Sequence, residues 1–325
     1  KYTAVPEDFI PFYMSHYGRH GSRWMTSDAR YEWIISQFAD KENLTKLGKK
    51  AKKMMQIVWK QARGNGGKLS PIGVHQHEKI AKNMVLRFPE LFSPGGRIEA
   101  FSSVSDRCVK SMQAFCCVLE NRNVRKEKVE QHSDSADMAW IAYKSSELEA
   151  WQKTVNPQRH LGNERFISAL FKDPTKVENA EKLMTELHAV ASDMQDVGLK
   201  LNFYQFFTEA ELRDIYEQNN ERMWLCNGLA PDNYGVTQRS AVSLWHNIVG
   251  EVNHALQDEL TATLRFGKQG RVKAERTCRL NDISDGILYC GGTQSVSSSG
   301  NSAEPMRLST ILVLLRSRLL FGWSA

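Results

Sequence analysis

A short apolar segment that runs into a glycine-flanked arginine-histidine loop constrains this chain more than any other feature. Residues 9–14 read Phe-Ile-Pro-Phe-Tyr-Met and predict a buried strand, and residues 17–23 follow as Tyr-Gly-Arg-His-Gly-Ser-Arg. Glycine lets backbone N–H groups approach an anion, and arginine presents several donors in one plane to phosphate oxygens. A neutral histidine between two arginines can act as a nucleophile. The segment therefore predicts a strand, a tight loop and a following helix, with phosphoryl transfer at the loop.

A second strand-to-helix junction predicts a further phosphate-binding side chain. Residues 97–103 read as a strand, and Ser105 or Asp106 can cap the helix that follows, which places Arg107 in its first turn. Ligands of open α/β sheets bind at the carboxyl ends of the strands, and helix N-termini favour anions. Alone, Arg107 would more often form a surface salt bridge, but because the loop at residues 19–23 is also a strand-to-helix junction, Arg107 becomes a candidate for binding the same anion.

Several stretches resemble the histidine phosphatases, in particular the branch that contains acid phosphatases and phytases. The resemblance rests on Arg-His-Gly-Ser-Arg at residues 19–23, on Leu-Ser-Pro-Ile-Gly at 69–73 with Gln-His at 76–77, and on residues 102–115. A helical block that includes residues 206–212 is similar to the insertion of multiple inositol polyphosphate phosphatases, especially bacterial ones. The resemblance extends over residues 9–267.

The resemblance implies a two-step reaction that uses no metal or organic cofactor. His20 would attack phosphorus and form a phosphohistidine, while Arg19, Arg23 and Arg107 bind the phosphoryl oxygens and stabilise the transition state. Water would then hydrolyse the intermediate. The implied substrate is a phosphorylated small molecule, an inositol polyphosphate such as phytate.

The chain departs from the family pattern where a proton donor is expected. In the family, a late strand ends in a histidine followed, directly or after one residue, by Asp or Glu, which protonates the leaving oxygen. Here Lys268 and Gln269 follow the predicted strand at residues 261–267, and neither can replace a carboxylic acid. Two explanations stay open: the tail is out of frame, or the protein has diverged and lacks its donor. Either explanation predicts a weakened catalyst. Two alternative functions stay open: an acid phosphatase of broad specificity or a sugar phosphatase of the same fold, and an inactive protein that binds phosphorylated ligands.

The predicted fold is α/β, with a histidine phosphatase-like central sheet flanked by helices and an inserted α-helical domain. We expect the first part of the α/β domain at residues 1–127, the helical insertion at 128–257 and the return strand at 258–267. Residues 268–325 form an atypical tail with little periodicity, which we expect to be poorly ordered or poorly packed.

Composition supports a phosphorylated ligand and argues against other partners. The net charge is +6 with a sequence pI near 8.9, which suits a polyanionic ligand, but no nucleic-acid-binding motif accompanies it. The densest basic run, residues 49–53, predicts a solvated helix face more strongly than a phosphate-attracting rim. No apolar run approaches the roughly 20 residues that span a bilayer. Because the chain begins at Lys1, we expect a removed leader and a periplasmic, cell-surface or secreted location; the oligomeric state stays open.

A few other polar residues have structural interpretations. His16 is expected to be a hydrogen-bonded packing residue, and Asp106 a helix cap rather than the missing donor. His75 and His77 lack a partner ligand at metal spacing. The cysteines at 108, 116 and 117 are predicted to be buried on one helix.

Overall fold

The computed structural model describes eleven stretches of the chain, which fall into two compact units. The described residues are 9–93, 95–121, 128–134, 140–141, 145–156, 161–228, 230–239, 241–257, 260–267, 287–291 and 309–317, the last two ranges for the backbone alone. One unit groups residues 1–21, 73–145 and 238–325, and the other groups residues 22–72 and 146–237.

Six strands and ten α-helices lie within the described residues. The strands are β1 Phe9–Arg19, β2 Arg97–Ser102, β3 Glu130–His132, β4 Leu260–Gly267, β5 Ile287–Gly291 and β6 Ser309–Ser317. The helices are α1 Asp28–Gln37, α2 Lys46–Ala62, α3 Pro71–Arg87, α4 Asp106–Leu119, α5 Ser146–Thr154, α6 Glu164–Leu170, α7 Ala180–Asp196, α8 Glu209–Asn227, α9 Val236–Arg239 and α10 Val242–Gln257. Short 3-10 helices occupy Pro89–Phe92, Pro174–Lys176, Tyr204–Phe206 and Pro231–Asn233.

The first unit is built on a six-stranded sheet in the order β3-β2-β4-β1-β6-β5. The four strands β3, β2, β4 and β1 are parallel, while β6 runs antiparallel to β1 and β5 antiparallel to β6. Parallel sheets need both faces covered, because helices cross over them. Met84 of α3 and Phe115 of α4 pack on one face, and Val252 of α10 packs against Tyr13 on the other. The predicted α/β class is confirmed.

Helix α4 shows how local spacing positions this unit's core. Its apolar face recurs at helical intervals, and the buried residues include Cys108, Met112, Phe115 and Cys116. The expectation that all three cysteines of this region are buried is wrong for Cys117, which is exposed. One residue further along a helix turns the side chain about 100°, away from the buried face.

The second unit is helical and has its own core. Helices α1, α2, α6 and α7 contribute the fully buried side chains, among them Ile34, Val58, Phe166 and Leu187. Helix α8 begins with the predicted capping box: the Thr208 hydroxyl accepts a hydrogen bond from the Glu211 amide, and the Glu211 carboxylate accepts one from the Thr208 amide.

The predicted segments distribute over the two units as follows. Of the segment predicted as the helical insertion, residues 146–237 lie in the second unit, which also includes residues 22–72. In the tail, Ile287–Gly291 and Ser309–Ser317 are strands, and Lys268 and Gln269 lie outside the described residues.

Candidate active site

His20 lies at the carboxyl edge of the parallel strands, directly after β1. In the register of β1 with β4, Arg19 is opposite Gly267, and the His20 backbone N–H donates to the Gly267 carbonyl at 3.2 Å. The same edge of the sheet carries the end of β2, since the Ser103 N–H donates to the Phe266 carbonyl at 3.1 Å. The sheet thus brings the two strand ends predicted to bind phosphate beside one central strand.

One hydrogen bond determines which nitrogen of His20 carries the proton. Nδ1 lies 2.8 Å from the Gly21 carbonyl oxygen, and a carbonyl can only accept, so Nδ1 is the protonated nitrogen. In the neutral ring the lone pair is then on Nε2. The His20 side chain is buried, and its contact with the Gly21 carbonyl orients the ring. The tautomer is the one that a nucleophile acting through Nε2 requires.

At Gly21 the backbone of the loop packs directly against the backbone of helix α3. A Cβ at Gly21 would lie 2.4 Å from the Gly73 carbonyl oxygen and 2.7 Å from the Gly73 Cα. Both neighbouring atoms belong to the backbone, so a side chain cannot be accommodated by a change of rotamer. The close approach explains why a glycine follows the histidine.

Ser111 connects this loop to the helix that carries Arg107. Its hydroxyl donates to the Arg107 carbonyl at 2.8 Å and accepts a hydrogen bond from the Gly21 N–H at 3.1 Å. Ser111 is fully buried. The sequence assigns no role to this residue; the only signal is a hydroxyl among the apolar positions of an amphipathic helix, four residues after Arg107. The contact fixes the start of α4 relative to the His20 loop.

Arg107 occupies the first turn of α4, as predicted, because α4 begins at Asp106 with Ser105 at the N-cap position. Its Nε atom is buried and has no hydrogen-bond partner among the described residues. A buried guanidinium N–H without an acceptor is costly, and an anionic ligand would satisfy it. Arg19, at the end of β1, is half-buried.

Two further histidines line the core of the first unit below this edge. His16 and His77 are buried, and within the described residues the ring nitrogens of His16 have no hydrogen-bond partner. His16 packs with its ring centroid 5.5 Å from Phe115 and 5.4 Å from Phe266. Burial lowers the pKa of His16 to about 3 and that of His77 to about 4. His16 is therefore a packing residue, but the expectation that it is hydrogen-bonded is wrong.

The predicted residues Ser22 and Arg23 belong to the second unit. The Ser22 hydroxyl donates to the Asp196 carboxylate at 2.9 Å, and the Arg23 Nη1 donates to the Trp24 carbonyl at 2.7 Å. The Ser70 hydroxyl lies 2.6 Å from the Asp196 carbonyl and 3.0 Å from the Ser22 carbonyl. These contacts tie the end of the Arg-His-Gly-Ser-Arg segment to the C-terminal end of α7.

An acidic pair lies beside Arg23 within this unit. Burial, followed by the Asp196 carboxylate, raises the pKa of Asp193 to about 7 against the opposing effect of Arg23 and Arg30. Arg30 is held by Glu186, with an Nη2–Oε2 distance of 2.8 Å. Asp193 therefore titrates near neutrality, so the field around Arg23 changes across that range.

The described residues do not supply the proton donor that the family pattern leads us to expect. The positions where the family motif is expected, Lys268 and Gln269, lie outside the described residues. Asp106 forms an ion pair with Lys110, with an Nζ–Oδ2 distance of 3.0 Å, and the start of α4 shows no side-chain cap. The expectation of capping by Ser105 or Asp106 is thus not met.

Within the described part of the chain, no three His, Cys, Asp or Glu side chains cluster as metal ligands, and no helix has the length and apolar character to cross a bilayer.

Known structures share this fold. Bifidobacterium longum multiple inositol polyphosphate phosphatase in complex with inositol hexasulfate superposes with a TM-score of 0.60 at 16% identity, over 82% of this chain and 75% of that chain. Its complex with phosphate gives a TM-score of 0.59 at 17% identity, over 82% and 73%. The phytase from D. castellii gives 0.60 at 15% identity, over 82% of this chain and 61% of that one. None of the curated proteins matches this sequence.

The sequence itself matches one family over most of its length. Residues 18–230 match the histidine phosphatase superfamily (branch 2), and the matched range includes Arg19, His20, Arg23 and Arg107. Together with the shared fold, this match shows that the chain belongs to the histidine phosphatase superfamily, branch 2.

Proposed function

We propose that this protein is a phosphomonoester hydrolase that acts on inositol polyphosphates through a phosphohistidine at His20. The observation that carries the proposal is the hydrogen bond from His20 Nδ1 to the Gly21 carbonyl, which places the lone pair on Nε2. Nucleophilic catalysis by a histidine needs a neutral ring in a fixed orientation.

The reaction divides into two balanced steps. His20 Nε2 attacks phosphorus, the P–N bond forms, and the bond from phosphorus to the alcohol oxygen breaks with its electron pair on that oxygen, which takes a proton from solvent water. Arg19 and Arg107, with Arg23 three residues after His20 in the chain, bind the phosphoryl oxygens and stabilise the charge of the transition state. Water then attacks the phosphohistidine, which releases inorganic phosphate and restores the neutral ring.

Two observations favour a multiply phosphorylated substrate. The chain carries a net charge of +6, which attracts polyanions. The structural neighbour from B. longum is a multiple inositol polyphosphate phosphatase, described in complexes with inositol hexasulfate and with phosphate.

We further propose that turnover is weakened because the chain has no Asp or Glu at the expected donor position. General acid catalysis contributes about 10²–10⁴-fold, so we expect a loss on this scale for substrates with poor leaving groups such as phytate. An aryl phosphate with an activated leaving group needs no such proton and is expected to lose less.

The nucleophile is tested by His20→Ala, with His75→Ala as the matched control because His75 is exposed on α3. We expect His20→Ala to abolish release of phosphate from both phytate and p-nitrophenyl phosphate, and His75→Ala to retain the parent rates. Acid-labile phosphate trapped on the parent and absent from His20→Ala identifies the covalent intermediate. Retained activity in His20→Ala contradicts the proposal.

The missing donor is tested by restoring the family pattern with K268H/Q269D. We expect phytate hydrolysis to rise by about 10²–10⁴-fold and p-nitrophenyl phosphate hydrolysis by much less. An equal gain on the two substrates, or none on either, contradicts the assignment of the defect to proton transfer.

A second candidate is a protein that binds phosphorylated ligands without turnover. The observation that favours it is the sequence Lys268-Gln269, which supplies no carboxylic acid after β4. A stoichiometric burst of phosphohistidine without further phosphate release would indicate this case, whereas sustained release excludes it.

A further inference from the structure

The first half of helix α2 carries a concentrated positive surface in the second unit. Lys46, Lys49, Lys50 and Lys53, here called the lysine patch, are all exposed. Their spacing of three and four residues places them on one face of the helix. Together with Leu47 they line an open cavity of about 640 Å³.

No acidic side chain compensates the lysine patch within the described residues. The ammonium group of Lys50 donates to the Gln205 amide oxygen, which is neutral. Two exposed lysines elsewhere do have a carboxylate partner: Lys110 lies 3.0 Å from Asp106, and Lys176 lies 3.5 Å from Asp40. The four charges of the patch therefore line the cavity, and the described part of the chain places no group of opposite sign against them.

This arrangement works against the stability of α2. Lys46 is the first residue of the helix, and the Thr45 hydroxyl caps it by accepting from the Gly48 N–H. The N-terminal end of a helix is positive and disfavours cations, and like charges four residues apart repel, as for Lys46 with Lys50 and Lys49 with Lys53. Binding of an anion at this face would offset the repulsion.

We propose that the lysine patch is a binding site for a compact, multiply phosphorylated small molecule. Seven residues of helix separate Lys46 from Lys53, a distance of about 10 Å, which suits a ring bearing several phosphates. The cavity volume of about 640 Å³ lies within the range of small-molecule sites, roughly 300–1,000 Å³. A site lined by five residues within about two turns of one helix favours a compact ligand over an extended polymer. The site uses none of the residues assigned to phosphoryl transfer, so it stands independently of the proposed catalytic function.

The test measures binding of inositol hexakisphosphate by titration calorimetry at low ionic strength, in the full-length His20→Ala background so that the probe is not consumed. The variant K46Q/K49Q/K50Q/K53Q is expected to bind one equivalent fewer than its background. The control K60Q/K68Q/K79Q/K172Q removes an equal number of positive charges at four other exposed lysines, and it is expected to bind as many equivalents as the background. The double variant K49Q/K53Q, with a smaller change to the helix, is expected to weaken the same binding event.

The stoichiometry separates this proposal from the catalytic one. If both the catalytic site and the lysine patch bind inositol hexakisphosphate, the patch variant lowers the stoichiometry from two equivalents to one. If the catalytic site does not bind it, the patch variant lowers the stoichiometry from one equivalent to none. Unchanged stoichiometry in the patch variant, or an equal loss in the control, overturns the proposal. Binding of a single-stranded oligonucleotide that depends on the patch, without binding of inositol hexakisphosphate, also overturns it and assigns the patch to nucleic acid.

Discussion

Replacing Ser111 by alanine isolates the contact that joins the His20 loop to helix α4. The change removes one buried oxygen, which donates to the Arg107 carbonyl at 2.8 Å and accepts from the Gly21 N–H at 3.1 Å. The Arg107 carbonyl keeps its place in the helical ladder, but the Gly21 N–H loses this acceptor. A buried donor left without a partner costs about 1–3 kcal/mol, so we expect the free energy of unfolding to fall by that amount.

The assay is urea unfolding, followed by circular dichroism and tryptophan fluorescence, with the slope on urea compared between variants. The matched control is Ser36→Ala: the Ser36 hydroxyl also donates to a helix carbonyl, that of Trp33 at 2.7 Å, but it is exposed. We expect the control to change the unfolding free energy by less than about 0.5 kcal/mol. If Ser111→Ala is no less stable than Ser36→Ala, the hydroxyl is not what holds the loop. Hydrolysis of p-nitrophenyl phosphate by Ser111→Ala is expected to fall as well, because Gly21 adjoins the nucleophile.

Three further predictions concern the close glycine contact, the buried histidines and the cap of α8. Gly21→Ala is expected to destabilise the protein and abolish phosphatase activity, since the new Cβ would lie 2.4 Å from a backbone oxygen; thermal unfolding and the aryl phosphate assay measure both effects. Stability is expected to fall as the pH drops below 6.5, because burial lowers the pKa of His16 to about 3 and that of His77 to about 4. The unfolded chain then takes up protons at a higher pH than the folded chain, and urea midpoints across this pH range measure the loss of stability. Thr208→Ala is expected to cost about 1 kcal/mol, the usual value of an N-cap, in urea unfolding.

Each of these predictions has its own control. Gly250→Ala adds a methyl group to α10 where nothing lies within 4 Å, so it should leave stability unchanged or improve it. His16→Met should lessen the loss of stability in acid, and an unaltered pH profile would contradict the assignment to His16. The cap prediction fails if Thr208→Ser, which keeps the hydroxyl, is as unstable as Thr208→Ala.

The amino-acid sequence was sufficient for features encoded over a few residues. The Arg-His-Gly-Ser-Arg loop after an apolar strand, the position of Arg107 in the first turn of α4, and the capping box at Thr208 depend on local spacing and agree with the structure. The same local patterns carried the resemblance to the family that residues 18–230 match.

The tertiary structure alone decided which distant residues meet. Strand β4 inserts between β1 and β2, so the Gly267 carbonyl reaches the His20 N–H across 247 residues of sequence. Ser111 of α4 likewise contacts Gly21 across 90 residues of sequence. Among the described residues the ring nitrogens of His16 find no hydrogen-bond partner, because aromatic rings from α4 and β4 pack against the imidazole. Periodicity reports which face of a strand or helix is apolar, but strand order and backbone proximity follow from how those faces pack. The sequence by itself therefore determined the family and the residues of the phosphate-binding motifs, and the tertiary packing decided which distant groups, the Gly267 carbonyl and the Ser111 hydroxyl, hold the His20 loop.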